Sequence, residues 1–219
     1  MDYLNSTLRD KTLDALESEY FDLVVIGGGI TGAGILREAS LRGFSVALLE
    51  ADDFASGTSS KSTKLIHGGL RYLAMGHIHV VREAARERKR VNRLAPHLAE
   101  PQWLMVPGRN LLEDLKYRIG INLYEYLGQV SGADLHFNLS GSALREFEPM
   151  LDTRHFPRAC VYREYLTDDA RLVIANVRAG IAAGGIAANK CPVTGVEHEG
   201  SRISHVLARC QDTGRNIRV

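Results

Sequence analysis

The densest chemistry in the chain lies between Asp22 and Glu50. Leu23–Ile26 is an apolar run with strand character, Gly27-Gly-Gly-Ile-Thr-Gly32 follows at once, a helical stretch comes next, and Ser45–Leu49 runs into Glu50. A strand, a glycine-rich turn, a helix and an acid-terminated strand, in that order, suit a pair of linked phosphates. Gly27 allows a tight turn out of the strand, Gly29 lacks the Cβ that would hold backbone off the phosphates, and Gly32 lets helix and sheet approach. The N–H groups of the first helical turn, at Ile30 and Thr31, would face the pyrophosphate with the helix dipole behind them. Glu50 comes about 20 residues later, where a carboxylate accepts hydrogen bonds from a ribose 2′-OH. The sequence predicts a dinucleotide site. The bland alternative is a glycine-rich turn of an ordinary α/β fold that binds nothing.

After Glu50 the chain does not continue as the next helix and strand of a nicotinamide-binding unit. It reads Ala51-Asp-Asp-Phe-Ala-Ser-Gly-Thr-Ser-Ser-Lys-Ser-Thr-Lys-Leu-Ile-His-Gly-Gly-Leu-Arg-Tyr-Leu73, which favours a larger cofactor. Thr58, Ser59 and Ser60 offer hydroxyls and amides to phosphate or ribitol oxygens. Gly68-Gly69 would let backbone approach a flat ring, and Arg71 places a guanidinium suited to phosphate or carboxylate beside it. Spacing alone leaves two accounts open: these ligand contacts, or a solvated Ser/Thr loop with a surface Arg71.

The elements that must position these residues follow from periodicity. Residues 1–20 read as a helical leader with Leu4, Leu8, Leu13 and Leu16 roughly on one side, packed on the domain. His77–Leu94 reads as a helix with a broken apolar stripe, ended by Ala95-Pro96. Its Arg82, Arg86, Arg88, Lys89, Arg90 and Arg93 outnumber its acids. With no interleaved aromatics to stack bases, this face is expected to be solvated, and no nucleic acid is expected as a partner. Gln102–Val106 has strand character, Leu111–Leu127 is a second amphipathic helix, and 128–141 reads as loop. Ser142–Met150 is a short helix and Arg158–Tyr165 a strand. Thr167-Asp-Asp opens a helix that stops at Gly184-Gly185. Strands are predicted at 186–190, 193–198, 202–209 and 216–219.

Bulk properties exclude several classes. The 219 residues carry 45% hydrophobic and 24% charged residues with a formal net charge of +1, an ordinary balance that exerts no global pull on nucleic acid or membrane. No run approaches the roughly 20 apolar residues of a membrane span, and the start has no signal-peptide core. Three cysteines, at 160, 191 and 210, are odd in number and lack metal-ligand spacing, so no metal site is expected. They read as buried or inert thiols in a reducing compartment.

The segment Gly27–Gly34 with Glu50, then Gly57–Leu73, resembles the FAD-dependent glycerol-3-phosphate dehydrogenases. Ala95-Pro-His-Leu98 and Tyr162-Arg-Glu-Tyr-Leu-Thr-Asp-Asp-Ala-Arg-Leu172 are similar to two further signatures of that family. The match runs from about residue 21 through nearly the whole chain. Leu65-Ile-His-Gly-Gly-Leu-Arg71 resembles the respiratory, single-polypeptide type, and flavin-dependent glycerophosphate oxidases share much of it.

The resemblance implies an α/β fold in which an FAD-binding Rossmann-like domain of the glutathione-reductase type is interrupted by a substrate-domain insertion. Residues 21–95 would be the first part of the FAD domain, 96–165 the substrate-side portion and 166–219 the second part. It implies that Gly27, Gly29, Ile30, Thr31 and Gly32 hold the pyrophosphate and Glu50 the adenosine ribose. Thr58, Ser59, Ser60, Lys64, Leu65, His67, Gly68, Gly69 and Leu70 would line the ribitol and flavin. Val193 would meet the adenine, and Arg71 with Tyr72 would bind the substrate phosphate. Asp168, Asp169 and Arg171 read as helix-start and ion-pair positions, and the catalytic base stays unassigned.

The implied reaction oxidises sn-glycerol 3-phosphate to dihydroxyacetone phosphate in glycerol metabolism and passes electrons to a quinone. The implied location is the cytoplasm, with peripheral contact at the inner face of the cytoplasmic membrane. The family continues past residue 219, so the chain is expected to be C-terminally incomplete, inactive alone and weak in FAD binding. Competing readings are an oxidase that uses oxygen, and a truncated product without catalysis.

Overall fold

The computed structural model describes residues 6–69, 72–73 and 75–219. Leu4 of the expected leader lies outside the described residues, as do Leu70 and Arg71. The chain divides into two compact units, Met1–Thr63 with Asp168–Val219, and Lys64–Thr167.

In the first unit a three-stranded parallel sheet has the order β1 (Leu23–Ile26), β2 (Val46–Leu49), β7 (Ile186–Ala188). All four residues of β2 are buried, as expected of a central parallel strand covered on both faces. Alternate residues feed two cores. Val25, Val46, Leu48 and Ala187 meet the helices α2 (Ile30–Leu41) and α6 (Asp169–Ala182). Ala47, Leu49, Ile186 and Ala188 meet Leu13 and Leu16 of α1 (Arg9–Ser18) and an antiparallel sheet. That second sheet has the order β10 (Asn216–Arg218), β9 (Arg202–Arg209), β8 (Val193–Glu199). Helices α2 and α6 cross closely: a Cβ on Gly180 would stand 2.7 Å from Leu36 Cγ and 3.1 Å from the Arg37 nitrogen. The Asp168 carboxylate caps α6 by accepting from the Arg171 N–H at 3.0 Å, which gives the acid at this helix start a structural task.

In the second unit β6 (Arg158–Leu166) is central. It pairs antiparallel along its length with β4 (Glu100–Gly108), and at its two ends with β3 (Leu65–Ile66) and β5 (Phe137–Ser140). The helices α3 (Ile78–Leu94), α4 (Leu111–Gly128) and α5 (Gly141–Phe147) complete it. Asn110 caps α4 by accepting from the Glu113 N–H at 2.9 Å.

Two sequence expectations change. β5 lies inside the stretch read as loop, because its four residues gain strand geometry only by pairing with β6. Helix α3 lies within the second compact unit, which begins at Lys64, where β3 joins β6. The basic face of α3 is not wholly solvated either. Arg82, Arg86, Arg90 and Arg93 are exposed and Lys89 is half-buried, but Arg88 is 2% exposed.

Candidate cofactor site

The turn from β1 into α2 is built from backbone that side chains would block. Gly27 takes φ +108°, a conformation L-residues rarely adopt, and its N–H donates to the Leu49 carbonyl at 2.8 Å. A Cβ on Gly32 would lie 1.9 Å from the Gly27 carbonyl oxygen, so any side chain there would push the helix off the strand. Gly28, passed over in the sequence pattern, is equally confined: its Cβ would meet Phe54 Cδ1 at 2.6 Å and Glu50 Cβ at 2.9 Å.

The amino end of α2 is prepared for an anion. No acidic residue occupies its first turn. The Ile30 N–H donates to Ser59 Oγ at 2.9 Å, and the N–H groups of Thr31 and Gly32 belong to a first turn with no carbonyl one turn back. Ser59 reaches this point from a short 3-10 turn, Thr58–Ser60. Of the three hydroxyl residues Thr58 is exposed, while Ser59 and Ser60 are half-buried.

Glu50 is held rather than loose. Its Oε2 accepts from the Gly28 N–H at 2.5 Å and its Oε1 from the Asp52 N–H at 2.8 Å. Each carboxylate oxygen keeps a further lone pair for a hydroxyl donor. The chain leaving β7 runs alongside, with the Glu50 N–H on the Ala188 carbonyl at 2.9 Å and the Cys191 N–H on the Glu50 carbonyl at 2.8 Å. Half-buried Val193 follows two residues later at the start of β8. The first unit thus brings Gly27, Gly29, Ile30, Thr31, Gly32, Glu50 and Ser59 around one turn. That geometry fits the pyrophosphate and ribose of a dinucleotide.

The second unit carries Lys64, Leu65, His67, Gly68 and Gly69. Lys64 and Leu65 are half-buried, His67 is exposed, and both glycines are buried. The glycine at 68 answers to the protein itself: a Cβ there would stand 2.1 Å from the Tyr124 hydroxyl. The Gly68 N–H donates to that hydroxyl at 3.0 Å, and the hydroxyl donates to Glu164 Oε1 at 2.9 Å. Arg88 donates to the Tyr124 hydroxyl, to Glu164 Oε2 and, at 3.2 Å, to the Arg163 carbonyl. Its guanidinium carbon also lies 5.3 Å from the Tyr124 ring centre and 5.4 Å from that of Tyr165.

Burial works against the Arg88 charge, but Tyr124 and Glu164 outweigh it and leave its pKa raised. Burial lifts the Tyr124 phenol well above its ordinary value, so it remains a donor. Sequence reading missed Arg88, Tyr124 and Glu164 because their helix and strand positions gave no sign that all three converge. Tyr72 is 42% exposed, and its N–H donates to the Gly69 carbonyl at 2.8 Å.

Comparison with known proteins agrees with this geometry. The family model described as FAD dependent oxidoreductase matches residues 22–219. The alpha-glycerophosphate oxidase of Lactococcus lactis is 36% identical over 218 residues, which cover 96% of this chain and 36% of that protein. The aerobic glycerol-3-phosphate dehydrogenase of Bacillus subtilis is 37% identical over 205 residues, covering 93% of this chain and 37% of that protein. The solved structure of the glycerol-3-phosphate dehydrogenase from Bacillus halodurans, complexed with FAD, superposes with a TM-score of 0.74 at 32% identity, covering 97% of this chain and 35% of that chain. The chain spans about a third of the length of these relatives. The glycine oxidase of Bacillus cereus, at 22% identity and a TM-score of 0.64, shares the fold. A family match over nearly the whole chain, joined to a glycine turn that admits no Cβ at position 32, places this chain in the FAD-dependent oxidoreductase family.

Proposed function

We propose that the chain contributes to FAD-dependent oxidation of sn-glycerol 3-phosphate to dihydroxyacetone phosphate. One observation carries this reading: relatives at 36–42% identity bear names that specify glycerophosphate oxidation. FAD supplies the hydride acceptor. In this reading residues 21–95 and 166–219 hold the cofactor and 96–165 serve the substrate side. Gly27, Gly29, Ile30, Thr31 and Gly32 bind the pyrophosphate, Glu50 the ribose and Val193 the adenine. Thr58, Ser59, Ser60, Lys64, Leu65, His67, Gly68, Gly69 and Leu70 line the ribitol and the ring. Arg71 takes the substrate phosphate with Tyr72 beside it. The chain's work is to bind and orient; binding energy spent on phosphate and ribose holds the reacting carbon in place.

The acceptor we favour is a quinone, reached by peripheral contact with the inner face of the cytoplasmic membrane. Among the described residues no helix is long and apolar enough to cross a membrane. A second reading, with oxygen as acceptor, is favoured by the oxidase name of the Lactococcus relative.

The test uses the complete polypeptide that carries these residues. It should purify yellow and reduce a quinone analogue in the presence of glycerol 3-phosphate without forming peroxide. Stoichiometric peroxide would select the oxidase reading, and a colourless protein indifferent to added FAD would remove both. Arg71→Ala should raise KM for glycerol 3-phosphate far more than it alters the flavin spectrum; an unchanged KM would take the phosphate role from Arg71.

A further inference from the structure

Cys191 and Cys210, both fully buried, lie in the first unit's core where the antiparallel sheet begins. The pairing Val193↔Ala208 continues past the ends of β8 and β9 by two hydrogen bonds. The Arg209 N–H donates to the Pro192 carbonyl at 3.1 Å, and the Gln211 N–H to the Lys190 carbonyl at 2.8 Å. These bonds flank the two cysteines without joining them. Cys191 and Cys210 are therefore a directly opposed, non-hydrogen-bonded antiparallel pair. Such pairs hold their Cα atoms about 4.5 Å apart with side chains on the same face. That separation falls within the roughly 4.4–6.8 Å that a disulfide spans. Both are free thiols in this structure.

Helix α1 brings a cation over the pair. Arg9 donates to Cys191 Sγ at 3.8 Å and to Asn189 Oδ1 at 3.1 Å, and pairs with Asp212 at 3.3 Å. The two thiols differ. Burial opposes a Cys210 thiolate, but hydrogen bonds from Thr213, Arg9 and the Asp212 backbone outweigh it and hold its pKa down to about 7. Burial pushes Cys191 up to about 12. One sulfur is thus a nucleophile near neutral pH while its neighbour keeps its proton. The turn 211–214 is exposed, so Cys210 lies one residue beneath solvent.

We propose that Cys191 and Cys210 are a dithiol that hydrogen peroxide oxidises reversibly to a disulfide. Cys210 Sγ attacks one peroxide oxygen, the O–O bond breaks, and hydroxide leaves as Cys210 becomes a sulfenic acid. Cys191 Sγ then attacks that sulfur and the S–O bond breaks; the departing oxygen takes the Cys191 proton and leaves as water. Two thiols and one peroxide yield one disulfide and two waters, and a small dithiol reverses the change by exchange. The bridge ties the segment that hydrogen-bonds Glu50 to the antiparallel sheet. The proposal is independent of which ligand the glycine turn holds.

A thiol count tests it. The reduced full chain is treated with a small excess of hydrogen peroxide, unfolded and titrated with a thiol reagent. The three thiols should fall to one, the mass should drop by two hydrogens, peptide mapping should join 191 to 210, and dithiothreitol should restore all three. Three persistent thiols, a bridge that uses Cys160, or Cys210 as sulfinic acid beside an untouched Cys191 would each overturn the proposal. In Cys191→Ser, Cys210 should stop at a sulfenic acid captured by dimedone; a folded variant without that adduct also overturns it. If the variant does not fold, the count on the unsubstituted chain decides alone.

Discussion

The Cβ that Gly32 lacks would stand 1.9 Å from the carbonyl oxygen of Gly27, and the same turn carries Gly27 at φ +108°. Gly32→Ala must therefore move α2 away from β1. It should cost about 1–3 kcal/mol of stability or more by overpacking, and it should weaken FAD binding because the first-turn N–H groups shift with the helix. Gly34→Ala is the matched control, since nothing lies within 4 Å of the added Cβ. In a helix interior that change should gain up to about 1 kcal/mol. Urea midpoints and flavin fluorescence titrations on both variants check the pair. Equal effects at 32 and 34 would mean that the close approach does not matter.

The Tyr124 hydroxyl accepts from the Gly68 N–H and donates to Glu164, all within one buried cluster with Arg88. Tyr124→Phe leaves the buried Gly68 N–H without its acceptor, at a cost of about 1–3 kcal/mol. Glu164→Gln removes the carboxylate that, among the described residues, pairs with buried Arg88, and should cost more, about 3–5 kcal/mol. Denaturation midpoints give the order. A Glu164→Gln variant as stable as the parent would show that Arg88 finds another counter-charge.

Why the sequence revealed some of this and not the rest follows from how far apart the partners lie. Gly27, Gly32 and Glu50 were legible because their contacts are made within one strand–helix–strand unit, where spacing along the chain fixes spacing in the fold. The Asp168 cap was legible for the same reason, since donor and acceptor are three residues apart. β5 was not, because Phe137–Ser140 becomes a strand only against β6. Arg88 looked like its exposed neighbours because its partners Tyr124 and Glu164 come from another helix and a strand. The facing of Cys191 and Cys210 was likewise hidden, since it depends on the register of β8 against β9.

Glu50 accepts from the Gly28 and Asp52 N–H groups, so its carboxylate is oriented before any ligand arrives. Glu50→Ala should lose roughly 1–3 kcal/mol of stability from the two charge-assisted hydrogen bonds. It should also weaken FAD binding at least tenfold, about 1.4 kcal/mol. Glu50→Gln keeps an acceptor oxygen and should fall between parent and Glu50→Ala in both measurements. Flavin titration followed by a melting curve separates the two effects. Unchanged affinity in a destabilised Glu50→Ala protein would leave Glu50 a purely structural role.

The unequal thiols of Cys210 and Cys191 predict a stability maximum in mildly alkaline solution. Cys210 has its pKa lowered from 9.0 to about 7, by hydrogen bonds from Thr213 and Arg9 that overcome burial. Between about pH 7 and 9 the unfolded chain therefore binds the extra proton, and stability rises with pH. Cys191 has its pKa raised from 9.0 to about 12 by burial. Above pH 9 the unfolded thiol ionises while the folded one does not, so stability falls again. Urea midpoints measured under reducing conditions should climb from pH 6.5 to 9 and then decline. Cys210→Ser should flatten the climb while keeping the decline. Cys191→Ser should keep the climb and shrink the decline without abolishing it, since burial also lifts Cys160 to about 11 and Tyr162 to about 12. A climb of equal size in Cys210→Ser would assign it to another titrating group and remove the thiolate at 210.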